Sequence, residues 1–435
     1  MKTYQDMKRA LKEDPENGLY SFILESVRDY KRSDAYKTAL EAIDYWRNQN
    51  PTITKYQKLL YTVSGGTAPD NYSANYKLAT NVYFRFITQT VQYLLGKGVS
   101  FDSPDTKKRL GGRAFDKALQ TALTAALNGG TAYGLWNSDR LEVFGAEEFV
   151  PLYDEESGSL MAGIRFWQLE RDRPLRLSLF EEDGCTELIM KDSDELPAVL
   201  RKKQPYRKTT SYLPSGEELL RIDENYSRLP VIILRSPRKQ SSIIGFKKLI
   251  DCHDLIASGY ANDIDDASLI YWTISNAGGM DEIDLAKFVK QLRTVRAAVV
   301  EDDGARAEAH SVSLPYESRE AILNRLESDM YRDFMVLNPD TIHGGTSTAT
   351  AIKAAYEPMN LYSNLLEASV SEFISELLEL LDISDSPSFT RTTIVNELEI
   401  ANTKKARVET ALLLKEVLGE QKVRELIEEI VGQGI

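Results

Sequence analysis

The chain has 435 residues, of which 42% are hydrophobic and 27% charged, and its formal net charge is −13. This is ordinary soluble globular composition, with enough length for two to four domains. The negative charge argues against a protein that grips DNA through a broad basic face. The negative charge does not exclude a surface along which nucleic acid passes without being bound.

The cysteine content and the hydropathy of the chain indicate the kind of cellular compartment that suits it. The two cysteines, Cys185 and Cys252, form no CxxC pair and no disulfide framework, which fits a reducing compartment. The first 18 residues are charged and lack the apolar core of a signal peptide. No segment approaches the roughly 20 apolar residues that span a bilayer. We therefore expect a soluble protein without a recognisable export signal.

The N-terminal part of the chain is expected to be helical. Apolar residues recur at helical spacing over residues 1–60, and Gly, Pro and Asn predict a loop over 64–73. A strong helix is predicted for Asn75–Leu95, ending at the glycines Gly96 and Gly98. A further helix is predicted for Arg113–Leu127.

The sequence pattern of residues 131–226 is typical of a β-sheet. Short apolar runs alternate with turn residues, and Asp183-Gly184 is typical of a hairpin. We interpret this region as an antiparallel meander with one solvated face.

Three long helical patterns follow a short buried strand, Leu229–Leu234. Since an isolated pair of amphipathic helices cannot bury its apolar stripe, we expect neighbouring copies to cover it. The patterns, and the polar loop before the third, are Ser242–Ala267, Tyr316–Val336, the loop Asn338–Thr350, and a helix to Leu381.

A compact strand–helix–hairpin unit is predicted between the first two of these helices, over Leu269–Pro315. The strand is Leu269–Ile274, and Asp281 is a plausible N-cap for the helix. The segments Ala297–Val300 and Ala305–Val312 flank the turn Asp303-Gly304 and predict the hairpin.

Pro358 lies inside the third helical pattern, where a proline removes a hydrogen bond at a cost of roughly 3 kcal/mol. We predict a kink or break over Ala354–Pro358. A linker at Ser384–Ser388 and two helices, Glu397–Leu418 and Gln421–Val431, complete the chain.

No catalytic motif is convincing. The sequence lacks the GxxxxGK[ST], HExxH and GxSxG patterns, and His253, His310 and His343 have no ligand spacing. Adjacent residues on a helix diverge by about 100°, so Cys252 and His253 are interpreted as a buried thiol beside a surface histidine.

Two other patterns resemble functional motifs, but a structural role is the better interpretation of each. The glycine pairs are read as turns, because none follows a strand and opens a helix with dinucleotide-binding spacing. The acidic group Asp263, Asp265 and Asp266 is typical of a solvated helix end, and a metal site is the alternative.

The order of several segments resembles that of phage portal proteins of the SPP1 type. The resembling segments are NYKLATNVYFRFITQTVQYLLGKGVSF (Asn75–Phe101), FVPLYDEESGSLMAGIRFW (Phe149–Trp167), LPVIILR (Leu229–Arg235), FKKLIDCHDLIASGYANDIDD (Phe246–Asp266), LPYESREAILNRLESDMYRDF (Leu314–Phe334) and GGTSTATAIKAAYEPMN (Gly344–Asn360). The resemblance covers about residues 35–400, and its specificity lies in the order and spacing of the segments.

The resemblance implies an α+β, elongated multi-domain portal fold with wing, stem, clip and crown. Long stem and tunnel helices and an antiparallel β wing would be its main parts. The implied divisions are 1–235, N-terminal helices and wing; 236–268, first stem helix; 269–315, clip; 316–337, second stem helix; 338–382, tunnel loop and kinked helix; and 383–435, C-terminal crown.

The implied function is a ring, expected to be a dodecamer, at one capsid vertex of the virion. Terminase would pump DNA in through its channel, and the DNA would later be ejected through it. Implied partners are the terminase large subunit, major capsid and scaffolding proteins, head-completion or adaptor proteins, and double-stranded DNA that passes non-specifically. Assembly would take place in the host bacterial cytoplasm, with no membrane partner, cofactor, metal or catalytic residue.

The resemblance places a tunnel loop in the DNA channel. Each phosphate that Lys or Arg neutralises adds affinity and slows sliding, and neither residue occurs between Asn338 and Ile352. An ordinary helix–helix connector is the alternative. The channel residues are Asn338, Asp340, Thr341, His343, Gly344, Gly345, Thr346, Ser347 and Thr348.

Two further sets of residues follow from the resemblance. The clip surface that would face terminase or connector proteins comprises Glu282, Asp284, Lys287, Lys290 and Arg293, and a solvated helix face is its alternative. The stem-packing set comprises Phe246, Leu249, Ile250, Ile256, Ile322, Leu326 and Phe334, with Pro358 as the helix kink.

Two other functions stay open on the residues alone. A metal-dependent nuclease would use the acidic group and lose cleavage on substitution of Asp265 and Asp266 by Asn. A non-viral scaffold protein would assemble through helical hairpins without closing a ring. The missing catalytic motifs weigh against the first, and the segment order weighs against the second.

Overall fold

The computed structural model has an α+β fold. It describes residues 2–61, 66–70, 73–212, 218–267, 271–275, 306–310, 316–339, 349–391, 397–415 and 419–432. The chain divides into two compact units. Unit 1 comprises residues 1–48, 81–246 and 331–435, and unit 2 comprises residues 49–80 and 247–330.

The helices occur in both units. They are α1 (Tyr4–Glu13), α2 (Gly18–Arg32), α3 (Asp34–Trp46), α4 (Pro51–Lys55), α5 (Val82–Leu95), α6 (Pro104–Arg109), α7 (Arg113–Gly129), α8 (Lys247–Ala267), α9 (Tyr316–Asp333), α10 (Ala349–Leu380), α11 (Glu397–Leu413) and α12 (Glu420–Gly432), with a 3-10 turn at Ser242–Gly245.

All described strands pair antiparallel. They are β1 (Leu59–Tyr61), β2 (Thr67–Pro69), β3 (Val99–Phe101), β4 (Thr131–Asn137), β5 (Arg140–Gly145), β6 (Phe149–Tyr153), β7 (Leu160–Trp167), β8 (Leu175–Glu181), β9 (Gly184–Met190), β10 (Ala198–Gln204), β11 (Arg207–Tyr212), β12 (Glu218–Glu224), β13 (Val231–Arg235), β14 (Tyr271–Ser275), β15 (Arg306–His310) and β16 (Pro387–Phe389).

The predicted meander is present as a five-stranded sheet in the order β10-β9-β8-β7-β6. The hairpin at Asp183-Gly184 joins β8 to β9, where Glu181 pairs with Gly184. Gly184 has a φ of +143°, which a residue with a side chain rarely adopts.

The prediction of one solvated face for this sheet is wrong. One face packs on α1 and α2 through a cluster that includes Ile23, Val27 and Leu179. The other face carries Phe149 and Phe180, which are buried against Tyr133, Phe144 and Val231 of a second sheet. That sheet has the order β13-β4-β5, and no pattern in the sequence predicted its packing on the meander.

The predicted helix over Asn75–Leu95 begins seven residues late, at Val82. Its end is as predicted, because Gly96 follows Leu95 as the C-cap. Residues 74–80 are not helical, since the main-chain N–H groups of Tyr76, Leu78 and Thr80 donate to side chains of α8. Tertiary hydrogen bonds here override local helix propensity.

The long helices lie close to their predicted bounds. The first predicted helix is a 3-10 turn, Ser242–Gly245, followed by α8, and the second is α9. The third, α10, runs from Ala349 to Leu380 with Pro358 inside it. No break occurs over Ala354–Pro358, so that part of the prediction is wrong.

Only parts of the inserted unit and of the C-terminus are described. Strand β15 pairs with β14, with Thr273 opposite Glu308. The predicted first hairpin strand Ala297–Val300 and the helix from Asp281 lie outside the described residues. The two C-terminal helices are present as α11 and α12.

Candidate functional site

An extended segment, residues 73–80, lies along helix α8 within unit 2; we call it the strap. The N–H of Tyr76 donates to Asn262 Oδ1 at 2.6 Å, and the N–H of Leu78 donates to Ser258 Oγ at 2.9 Å. The N–H of Thr80 donates to Asp254 Oδ1 at 3.1 Å. The strap thus runs antiparallel to the helix and bonds to one polar stripe.

The strap and helix α8 match in the spacing of their residues along the chain direction. Two residues of an extended chain advance about 6.6 Å, and four residues of an α-helix advance about 6.0 Å. Alternate strap residues therefore meet side chains spaced by four on α8. Ser258 and Asn262 also donate back to the carbonyls of Leu78 and Tyr76, so each of these strap residues is bonded at both of its main-chain groups.

Asp254 is the centre of this arrangement and is fully buried. Its Oδ2 accepts from Asn50 Nδ2 at 2.9 Å, while Oδ1 accepts from Thr80. The Oδ1 of Asn50 in turn accepts from the N–H groups of Thr52 and Ile53 and caps α4. One carboxylate thus fixes the strap and α4 on α8.

The prediction for Cys252 and His253 is wrong in both parts. Cys252 is exposed, while the His253 side chain is only 14% exposed. His253 Nδ1 lies 3.3 Å from Asp254 Oδ1. The histidine therefore lies beside the buried carboxylate, and the thiol faces solvent.

Helices α8 and α9 contact each other through Arg319 within unit 2. Its guanidinium lies 2.5 Å from Asp263 Oδ2 and 5.8 Å from the ring centroid of Tyr260. One member of the predicted acidic group is thus an ion-pair partner. The side chain of Asp266 lies outside the described residues.

Both helices keep apolar side chains in solvent. Leu255 and Ile264 of α8 are 42% and 53% exposed, and Ile322 of α9 is 45% exposed. In the stem-packing set, Ile250 and Phe334 are buried, while Phe246, Leu249, Ile256 and Leu326 are half-buried.

The structure brings Phe246 and Phe334 together in unit 1. Their ring centroids are 3.7 Å apart, and Phe86 stacks on Phe334 at 4.5 Å. Phe246 directly precedes α8 and Phe334 directly follows α9. Phe246 and Phe334 thus belong to one aromatic cluster within unit 1. Sequence reasoning missed the third member of this cluster, Phe86.

Helix α10 is held in unit 1 by a polar network. Arg391 donates to Asn360 Oδ1 at 3.3 Å and to Glu367 Oε2 at 2.8 Å, and Tyr93 Oη donates to Asn360 Oδ1. Beyond the helix, Asp385 accepts from the N–H groups of Asp102 and Ser103 and from Thr106 Oγ1 at the start of α6. These hydrogen bonds hold the pKa of Asp385 below its usual range.

The predicted channel and clip residues have no described geometry, with one exception. Asn338 follows α9 and is half-buried. Asp340, Thr341, His343, Gly344, Gly345, Thr346, Ser347 and Thr348 lie outside the described residues, as do the clip residues Glu282, Asp284, Lys287, Lys290 and Arg293.

The described residues lack two features, a metal-binding cluster and a membrane-spanning helix. No group of three or more His, Cys, Asp or Glu side chains is placed to hold a metal ion. None of the described helices combines the length and apolarity needed to cross a bilayer.

The sequence profile of the family described as "Phage portal protein, SPP1 Gp6-like" matches residues 28–431. The chain therefore belongs to the SPP1-type phage portal family. It is a portal protein, a virion component, and a subunit of a ring-forming oligomer in the connection between capsid and tail.

Two curated relatives and one solved structure are similar to the chain. The portal protein of Clostridium phage phiCD119 is 24% identical over 414 residues, covering 87% of this chain and 88% of that protein. The portal protein of Bacillus phage SPP1 is 23% identical over 413 residues, covering 87% and 78%. A chain from the structure titled "Neck of native GTA particle computed with C12 symmetry" matches with a TM-score of 0.44 and 11% identity, covering 79% and 89%.

Proposed function

We propose that the protein forms a twelve-membered ring at one capsid vertex and acts there as a non-enzymatic conduit for double-stranded DNA. Family membership across residues 28–431 carries this proposal. In it, the chain assembles in the host bacterial cytoplasm before it becomes part of the virion.

The exposed apolar side chains of α8 and α9 support the ring. A single chain leaves Leu255, Ile264 and Ile322 in water. Identical copies that stand side by side around an axis would cover them. The stem-packing set would then lie at or near the contacts between neighbouring copies.

The composition of the channel segment supports weak contact with DNA. Residues 338–352 contain no Lys or Arg, so this segment releases no counterions from the phosphate backbone. In the proposal, Asn338, Asp340 and His343 line the channel with uncharged or acidic groups.

The remaining partners follow from the same proposal. The clip surface from Glu282 to Arg293 would meet the terminase large subunit during packaging and head-completion proteins afterwards. Major capsid and scaffolding proteins would surround the ring at the vertex.

The channel role is tested by deleting residues Gly344–Thr348 from the full chain. Rings should form as in the unaltered protein, while DNA packaging in a terminase-dependent assay should fail. Normal packaging by this variant would remove the channel role without affecting the ring.

The stem role is tested by Leu326→Glu on α9. The charge should destabilise the fold or the ring, because the half-buried leucine would lie in the stem packing. Asn324→Glu, at an exposed position of the same helix, is the matched control. Unchanged assembly of Leu326→Glu would show that this stripe stays in water.

A further inference from the structure

Helix α8 carries a concave apolar surface within unit 2, which we call the Gly259 socket. It is a cavity of about 270 Å³ whose lining includes Ile53, Tyr56, Tyr76, Leu255 and Gly259. Tyr56, Tyr76 and Leu255 are 47%, 53% and 42% exposed, so apolar groups of the lining are in contact with water. The lining also includes the charged residues Lys58, Lys77 and Asp263.

The floor of the socket is open because Gly259 has no side chain. A Cβ added there would meet no atom within 4 Å, apart from the helix's own backbone and chain neighbours. Glycine inside a helix costs about 1 kcal/mol relative to alanine, and nothing described within the chain requires its small size. The missing side chain instead leaves room for a group from outside the chain.

The opposite face of the same helix carries an exposed aliphatic side chain. At 3.6 residues per turn, Ile264 lies about 180° round the axis from Leu255 and about 140° from Gly259. Ile264 is 53% exposed. Helix α8 therefore presents a hollow on one side and a projecting apolar group on the other.

These two faces are what a closed ring needs. In a ring of more than two identical subunits, each subunit contacts its two neighbours through two different surfaces. We propose that the Gly259 socket of one copy receives the Ile264 face of the next copy. The inference rests on the ring proposed above and names the surfaces through which it closes.

The experiment compares full-length variants by negative-stain imaging and by mass measurement over a range of protein concentrations. Gly259→Trp fills the socket, and Ile264→Glu places a charge on the opposite face; both should lose closed rings while keeping the circular dichroism spectrum and melting temperature of the unaltered chain. Ile264→Ala should raise the concentration for half-assembly by roughly tenfold or more.

Two matched controls separate these effects from a general loss of solubility. Asn324→Trp adds the same bulk at an exposed position of α9, and Leu413→Glu replaces an 82% exposed leucine in unit 1. Both controls should form rings.

A cross-linking readout keeps the proposal testable if a variant folds poorly. In a Cys252→Ser background, Gly259→Cys and Ile264→Cys together should give disulfide-linked oligomers on oxidation. The two positions lie on opposite sides of one helix, so they cannot pair within a chain.

The outcomes are distinct. Rings formed normally by folded Gly259→Trp and Ile264→Glu, or by the double cysteine variant without cross-links, would overturn this inference and leave the ring standing. Failure of the unaltered chain to form rings would instead overturn the proposed function.

Discussion

The five-stranded sheet of unit 1 and the helix pair of unit 2 are stabilised in different ways. The five-stranded sheet has buried apolar clusters on both faces, although its edge strand β10 leaves Val199 and Leu200 40% and 44% exposed. Helix α8 is held by a partly buried polar ladder to the strap, while Leu255 and Ile264 remain exposed. The sheet thus has an apolar core of its own, whereas the ladder between α8 and the strap consists of hydrogen bonds.

The largest effect on stability is expected in the five-stranded sheet. Phe149 is fully buried, stacks on Tyr133 at 4.2 Å and packs over Gly163, where a Cβ would clash with its ring. Phe149→Ala should cost about 3–5 kcal/mol of the free energy of unfolding. Denaturant unfolding would measure this loss. The conservative Phe149→Leu should lose clearly less, and equal losses would mean that ring stacking and volume do not matter there.

A smaller effect is expected at the buried carboxylate of unit 2. Asp254→Ala removes the acceptor for Thr80 and Asn50 and should cost about 2–3 kcal/mol, since buried donors are left unpaired. Hydrogen exchange should show faster exchange at Tyr76, Leu78 and Thr80.

Asp251→Ala is the control for this substitution. Asp251 accepts from Thr52 at 3.1 Å near the surface of the same helix, and its loss should leave strap exchange unchanged. Equal exchange in the two variants would contradict the central role of Asp254.

The two regions also differ in how much of their structure could be predicted from the sequence. Short apolar runs separated by turn residues, with the turn at Asp183-Gly184, were enough to predict the meander, because local signals and burial agree there. The covering of its second face was not predictable, since it depends on β13 pairing with β4, about 100 residues away in the chain.

The strap was missed for a related reason. Residues 75–81 have apolar spacing that suits a helix, and they are extended because their hydrogen bonds go to α8. A signal did exist in helix α8, to which the strap is bonded, because Asp254, Ser258 and Asn262 recur there every four residues as a polar stripe. Its meaning depended on a segment 180 residues earlier. Phe246 and Phe334, which the structure brings together, each lie at the end of a strongly periodic segment, and that made them visible in the sequence.

A still smaller effect is expected at the surface of unit 1. Asp385→Ala removes the acceptor at the start of α6 and should lower the melting temperature at neutral pH. Because the folded pKa of Asp385 lies below its ordinary value of 3.8, its contribution is present above that pH. It is lost as the pH falls through the folded pKa. A melting-temperature difference that persisted in strong acid would contradict this assignment.

The smallest effect is expected in a labelling experiment on the unaltered chain. Cys252 lies seven residues before Gly259, on the same face of α8, and is exposed in the single chain. A thiol reagent should label it in the monomer and be excluded from it in the ring. Cys185 should react slowly in both states, because burial raises its pKa to about 12. Equal labelling of Cys252 in monomer and ring would place the socket outside the contact.

The most direct measurement is imaging of the purified full-length chain viewed down its assembly axis. Closed rings with a central hole, built from copies of this chain alone, are the predicted result. A protein that stays monomeric at every concentration, with Leu255 and Ile264 still in solvent, would contradict the account that its helix pair is completed by identical neighbours.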